Sequence, residues 1–150
     1  MKTKVERIRK RIRGKVSITL KNVQTGETRV VGENLVVNNA YVQLARLLGN
    51  LVVNPVANIA FGIGGAVPPA PSDTGITGAV VLLPVVVAYP YAYTVQFTAT
   101  LDSADVSGAN INEVGLLFND NSLAARWVFG VMTKSAGWSW EVQWEFSYTV

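Results

Sequence analysis

One polar stretch of the chain carries residues that could bind a metal ion. Asp102, Asp105, Asn110, Asn112 and Glu113 lie close together and offer oxygen atoms of the kind that Ca²⁺ prefers. Their spacing matches no known calcium-binding loop, and turns between strands are rich in Asp and Asn without any metal. The stretch is therefore interpreted as a turn, and we predict no metal site and no cofactor.

A glycine cluster, Gly62-Ile63-Gly64-Gly65, is a candidate for phosphate binding. Such clusters hold phosphate when they join a strand to the N-terminus of a helix. Here the cluster runs into Pro68, Pro69 and Pro71, no helical pattern follows, and no Lys-Ser or Lys-Thr pair completes the motif. We predict instead a long Pro/Gly-rich loop over residues 64–78. A loop of that length usually has a function or lies against a partner.

The chain contains neither histidine nor cysteine. Without imidazole or thiolate, Ser-His-Asp and Cys-His mechanisms are excluded, as are disulfides and zinc–thiolate sites. Nothing in the sequence places two carboxylates across a cleft as a glycosidase requires. We therefore predict a protein that is not an enzyme and has no catalytic residues.

The positive charges are concentrated at the N-terminus. Eight of the 13 Lys and Arg residues lie in the first 15 positions, although the net charge of the whole chain is only +3. A segment this cationic either binds an anionic or hydrogen-bonding partner or remains a solvated terminus. We predict a basic arm, residues 1–13, that contacts a partner chain. The candidate contact residues are Arg7, Arg9, Lys10, Arg11 and Arg13.

The arm itself has two possible conformations. Val5, Ile8 and Ile12 recur at helical spacing, so the arm could form an amphipathic helix, or it could be extended. The sequence leaves both open.

Strand patterns dominate the rest of the chain. Val16, Ile18 and Leu20 alternate with polar residues, and a second alternation runs through residues 91–101. In residues 138–150 every even position is apolar, which predicts a core-facing strand bearing three tryptophans. We predict one all-β domain, residues 14–150, built as a mainly antiparallel sandwich or barrel.

A single short helix is predicted within this domain. Tyr41, Leu44, Leu47 and Leu48 recur at helical spacing. The preceding pair Asn38-Asn39 could supply the N-cap, and Gly49 could end the helix. These positions predict a helix close to residues 39–48.

Short pieces of a recognisable pattern follow one another over residues 14–149. They are Gly14-Lys15-Val16, Glu33-Asn34-Leu35-Val36-Val37-Asn38, Ile59-Ala60-Phe61-Gly62-Ile63-Gly64, Ser72-Asp73-Thr74, Ile111-Asn112-Glu113-Val114-Gly115-Leu116-Leu117-Phe118, Ala125-Arg126, Thr133-Lys134 and an aromatic final strand. In this order the chain resembles small structural proteins encoded by tailed viruses of bacteria and archaea. Members often carry an acidic residue and an Arg soon after the Asp-Thr pair, where this chain continues Gly75-Ile76-Thr77-Gly78.

The resemblance implies a structural protein of a virus particle, assembled in the host cytoplasm and located in the virion. Within that class we favour a capsid accessory (decoration or cement) subunit, because a chain of 150 residues leaves no room for a fibre shaft and a basic arm suits clamping of neighbours. The expected partners are other copies of the chain, as a trimer, and virion proteins such as the major capsid protein.

Two alternatives remain. Similar pieces occur in tail-fibre and tail-collar proteins, so a tail or baseplate subunit is the first. A nucleic-acid-binding module is more distant, because the body is acidic and no aromatic residue lies among the cations of the arm. The most apolar window, residues 79–89, is too short to cross a bilayer, so no membrane association is predicted.

Overall fold

A computed structural model of the chain describes residues 12–31, 34–49, 51 and 54–148. The predictions for residues 1–11, which include Arg7, Arg9, Lys10 and Arg11, lie outside the described residues.

Ten strands and one helix follow one another along the described chain. They are β1 (Ile12–Asn22), β2 (Thr28–Val31), β3 (Leu35–Val36), α1 (Asn38–Leu48), β4 (Val56–Gly62), β5 (Val81–Pro84), β6 (Val86–Tyr91), β7 (Thr94–Leu101), β8 (Asn110–Phe118), β9 (Leu123–Thr133) and β10 (Trp138–Tyr148).

The strands form two five-stranded sheets, and all described strand pairs are antiparallel. The first sheet has the order β2-β1-β10-β7-β6 and the second has the order β3-β9-β8-β4-β5. The sheets face each other across a shared core, in which the ring of Phe61 on β4 meets the ring of Trp140 on β10 edge to face, with centroids 5.9 Å apart. The predicted all-β fold with one short helix is confirmed, in the form of a sandwich.

Strand β10 lies at the centre of the first sheet, and its predicted alternation is confirmed from Trp140 to Phe146, whereas Trp138 is half-buried and Tyr148 is exposed. Trp140, Val142 and Trp144 are buried, whereas Glu141 is exposed and Gln143 is half-buried on the other face. The alternation of β1 is in phase with it, because Val16, Ile18 and Leu20 pair with Trp144, Val142 and Trp140. Two sequence patterns of period two thus meet on one side of the sheet.

Helix α1 has the predicted position, but the predicted N-cap is wrong. Val37 occupies the cap position, and no side chain caps the helix. The side-chain amide of Asn39 donates instead to Ser122 Oγ (2.9 Å) and to the Leu123 carbonyl (3.1 Å), so it joins the helix to the second sheet. A polar tertiary partner has replaced the local capping contact.

Only part of the predicted apolar stripe of α1 is buried, because Leu44 packs against the core but the last leucines do not. Ala40 and Gln43 are buried, while Leu47 and Leu48 are 58% and 81% exposed. The small side chain of Ala40 suits close contact with the sandwich. The leucines at the C-terminal end of α1 therefore remain at the surface.

The apolar run around Pro84 forms two edge strands, and sheet edges are the positions in which proline is tolerated. The chain leaves the second sheet at the end of β5, passes Val85 and enters the first sheet as β6, so β5 and β6 are the edges on one side of the sandwich. Every residue of β6 is exposed, including Val86 (71%), Tyr89 (78%) and Tyr91 (73%).

Candidate functional site

A buried polar cluster lies beneath residues 63–80, which we call the covering loop. This loop joins β4 to β5 and crosses the face of the second sheet that points away from the main core. Its Ile76 packs on a small apolar cluster formed by Val37, Ala60, Leu117 and Leu123. Backbone hydrogen bonds tie the loop to α1 and β9, from Asn38 N to the Pro71 carbonyl (2.8 Å) and from Leu123 N to the Thr74 carbonyl (3.3 Å).

Arg126 of β9 is the centre of the cluster, and every N–H of its guanidinium has an acceptor. Two of the acceptors are carboxylates: Glu113 Oε2 lies 2.6 Å from Nε, and Asp73 Oδ2 lies 2.9 Å from Nη1. The other three are carbonyl oxygens of the covering loop, those of Gly64, Val67 and Pro68. A planar fork with five donors is suited to binding so many acceptors at once.

The two carboxylates hold the loop as well as the arginine. Glu113 is fully buried; its Oε2 also contacts Arg126 Nη2, and its Oε1 accepts the backbone N–H of Thr77 at 2.9 Å. Asp73 accepts the N–H of Ala70 at 2.9 Å. Each end of the covering loop is therefore fixed to the same buried ion group.

The charges in this cluster stabilise one another. Burial alone would raise the pKa of Asp73, but the Ala70 N–H and the Arg126 guanidinium outweigh it and hold that pKa below its ordinary value. Burial would likewise lower the pKa of Arg126, whereas its bonds to Asp73 and Glu113 raise it. Both groups are thus ionised at neutral pH.

The glycine cluster considered above as a phosphate site has a different role. A Cβ at Gly64 would lie 2.8 Å from Glu113 Oε1, and one at Gly65 would lie 2.3 Å from the Asn112 carbonyl oxygen. Only glycine lets the loop backbone approach the sheet this closely. The carbonyls of the loop face a guanidinium, so the described geometry binds a cation of the chain itself and does not form a cradle of N–H groups for phosphate.

The five residues considered as calcium ligands are divided among separate contacts. Glu113 binds Arg126, Asn112 Oδ1 accepts the Gly65 N–H, and Asn110 Oδ1 accepts the Thr133 hydroxyl. Asp102 and Asp105 lie in the turn before β8. Among the residues that the structure describes, no group of three or more acids is placed to hold a metal ion.

A second buried cation, Lys134, lies beneath that turn. Its side chain is fully buried, and its Nζ donates to the Ser103 carbonyl at 3.1 Å. Burial lowers its pKa, and the negative charges of Asp105 and Asp102 oppose this effect. Lys134 therefore holds the 102–109 turn much as Arg126 holds the covering loop, but with a single hydrogen bond.

Of the five candidate contact residues of the arm, Arg13 alone lies within the described part of the chain. It lies in β1 opposite Ser147, and its side chain is exposed. The neighbouring Ile12 is buried and belongs to the core cluster. Ile12 and Arg13 both belong to strand β1, so a helical arm cannot include them.

The Arg126 cluster was not predicted as a site, although the sequence carried a signal for it. Glu113 and Arg126 each stand as a lone charge within an apolar strand sequence. Two opposite charges of this kind on adjacent strands are expected to pair, because an unpaired buried charge is very costly. What the sequence could not show is that Asp73, in a distant loop, would complete the group.

Comparison with protein-family models, curated protein sequences and solved structures finds no match to this chain. Within the described residues, no helix is long and apolar enough to span a membrane.

Proposed function

We propose that this protein is a non-enzymatic structural subunit of a tailed-virus particle, most specifically a capsid accessory subunit that binds copies of itself and a neighbouring virion protein. The observation that carries the proposal is the combination, in one chain, of an exposed uncharged β edge and a strongly cationic N-terminal segment. The assignment to a virus particle rests on the sequence resemblance described above.

The uncharged edge is formed by β5 and β6. Residues 74–101 contain no Asp, Glu, Lys or Arg. Within this stretch Val86, Tyr89, Tyr91 and Tyr93 are each more than 60% exposed. Edge strands that remain solvated are usually protected by charges, and exposed tyrosines are enriched in protein interfaces. This edge therefore has the chemistry of a contact between subunits.

The N-terminal cations supply a second, different contact. Arg and Lys side chains bind carboxylates and backbone carbonyls of a partner, and arginine does so with a fork. In the proposed particle the edge joins like subunits, and the basic arm attaches them to a neighbouring protein.

The first experiment tests the edge by sedimentation. Val86→Lys places a charge on β6, and Val131→Lys is its matched control, because Val131 is also a strand valine and is 66% exposed on β9. We expect wild type and Val131→Lys to sediment as the same oligomer, a trimer, and Val86→Lys to dissociate. Equal behaviour of the two variants would contradict a contact through this edge.

The second experiment locates the protein. Gold-labelled antibody against the chain is applied to purified virus particles and imaged in negative stain. Label over the capsid is the expected result. Label on the tail would favour the tail or baseplate alternative, and unlabelled particles would contradict the virion proposal.

The third experiment separates particle binding from nucleic-acid binding. Full-length protein and a form lacking residues 1–11 are titrated against empty capsids and against free DNA. The clamp predicts that truncation weakens capsid binding, whereas tight DNA binding that falls steeply with salt would favour the nucleic-acid alternative. Truncation stops before Ile12 because that residue is part of the core.

A further inference from the structure

An apolar groove of about 350 Å³ opens between helix α1 and the first sheet, at the end of the sandwich where β1 begins. Its walls include Ile12, Leu47, Tyr89, Phe118 and Tyr148. Leu47 is 58% exposed and Tyr89 is 78% exposed, so large apolar side chains border the groove without being covered by any described residue. Exposed apolar surface of this kind marks a binding site.

The groove also contains an acceptor that lacks a donor. Gln43 of α1 lines the groove and is only 7% exposed, yet its Oε1 has no hydrogen-bond partner among the described residues. A buried polar atom without a partner costs stability. The missing occupant should therefore bring an N–H donor as well as apolar side chains.

We propose that the groove binds the N-terminal residues 1–11 of its own chain, with Ile8 and Val5 on the apolar walls and an N–H group donating to Gln43. The chain passes from residue 11 directly to Ile12, which already lines the groove. Ile8 is four positions away, which corresponds to roughly 6 Å in a helix and at most roughly 14 Å in an extended chain. Both conformations keep Ile8 within reach of the walls.

The composition of the segment matches both requirements. It offers aliphatic side chains, and its backbone and six Lys and Arg residues offer N–H donors (the six are Lys2, Lys4, Arg7, Arg9, Lys10 and Arg11). A segment tethered at the mouth of the groove has a high effective concentration there. The inference does not depend on the virion proposal, and the cations on the other side of the segment would still face a partner.

Disulfide trapping tests the proposal directly, because the chain has no cysteine of its own. The test pair is Ile8→Cys with Leu47→Cys, and the matched control is Ile8→Cys with Leu48→Cys. Leu48 is the next residue of α1 and is 81% exposed, but it does not line the groove. Under mild oxidation we expect the test pair to form an intramolecular disulfide at least tenfold faster than the control.

Two results would overturn the proposal. Equal rates for the two pairs would show that the segment does not prefer the groove. A disulfide-linked dimer in place of a compact monomer would show that a second copy supplies the segment. Both variants carry one change within residues 1–11 and one at an exposed position of α1, so we expect both to fold as the wild type does.

The role of Gln43 is tested by a cycle of unfolding measurements. Gln43→Leu removes the acceptor and is placed in full-length protein and in the form lacking residues 1–11. In the truncated form it should raise the urea midpoint, because an unpaired polar atom is lost. In full-length protein this rise of the urea midpoint should vanish, because the substitution also removes the hydrogen bond between residues 1–11 and Gln43. The same gain in both forms would show that residues 1–11 do not serve Gln43.

Discussion

The covering loop and the groove beside α1 differ in whether their buried polar groups have hydrogen-bond partners. Under the loop, Arg126 finds an acceptor for each of its five N–H groups, and both carboxylates that it binds also accept backbone N–H groups. In the groove, Gln43 is almost as buried, yet its Oε1 has no described partner. The first region is complete within the described chain, whereas the second needs a further segment.

The apolar residues of the two regions show the same contrast. Ile76 of the covering loop packs on four fully or almost fully buried residues. Leu47 and Tyr89 border the groove and remain exposed. Removing a side chain from the loop region should therefore reduce folding stability, and removing one from the groove should affect mainly the binding of another segment.

The largest effect is expected for Arg126→Met. The substitution leaves Glu113 buried without its cation and should cost about 3–5 kcal/mol of unfolding free energy. Urea unfolding followed by tryptophan fluorescence measures this loss. Arg46→Met, at an exposed position of α1, is the control and should change stability by less than about 0.5 kcal/mol. Similar values for both variants would show that the ion group does not hold the loop.

A smaller effect is expected for Gly64→Ala. The added Cβ would lie 2.8 Å from both Glu113 Oε1 and Thr77 Cβ, and such overpacking costs about 1–3 kcal/mol. Gly75→Ala is the control in the same loop, because its Cβ would meet nothing within 4 Å. That variant should gain about 0.4–1 kcal/mol by restricting the unfolded chain. A loss of unfolding free energy for Gly64→Ala together with a gain for Gly75→Ala would support close packing at Gly64.

The next effect in size is the weakening of the ion pair between Asp73 and Arg126 by acid. Because the folded pKa of Asp73 lies below its ordinary value of 3.8, the unfolded state binds the proton more readily. The stability that the Asp73 carboxylate contributes is therefore fully present above pH 3.8 and is lost as the pH falls through the folded pKa. Asp73→Asn removes the titrating group, so its unfolding free energy should be lower than that of wild type at pH 6 and should approach it in acid. A difference independent of pH would contradict this.

The smallest effect on folding is expected for Leu47→Gln in the form lacking residues 1–11. Leu47 is more than half exposed, so its replacement should change the unfolding free energy by less than about 0.5 kcal/mol. Leu123→Ala, at a fully buried position beneath the covering loop, should cost about 2–5 kcal/mol in the same background. A large loss of unfolding free energy for Leu47→Gln would contradict this, because it would mean that the groove is as well packed without residues 1–11 as the covering loop is.

The sandwich could be predicted from the sequence where one side of a strand faces the core and the other does not. In β10 the alternation of Trp140, Val142 and Trp144 with Glu141 and Gln143 is visible in the sequence because burial changes at every residue. Helix α1 was placed correctly for a similar reason. Its cap and the burial of its C-terminal leucines do not follow from the spacing, since Asn39 bonds a serine 83 positions away, and Ala40 and Leu44 pack on the sandwich while Leu47 and Leu48 remain exposed.

The candidate site depended on contacts that no local pattern contains. Arg126 and Asp73 are 53 positions apart, and Glu113 and Thr77 are 36 positions apart. The glycine cluster at 62–65 is visible in the sequence, but its role follows from the carboxylate of Glu113, which only the fold brings near. Residue spacing along the chain predicts which side chains share one face of a strand. It does not predict which strand and loop faces meet in the fold, and a buried ion group depends on that.

The central position of β10 has a consequence for the order of events during synthesis. Lys21 of β1 bonds Ser139 of β10 across 118 positions, and β7 also depends on β10 for its place in the sheet. At ordinary rates of translation, about 5–20 residues per second, β1 must wait roughly 6–24 s for its neighbour. During that interval the second sheet, whose strands all precede β10, can form first and leave one apolar face open. A released chain that ends near residue 137 should therefore bind chaperones that recognise exposed apolar surface.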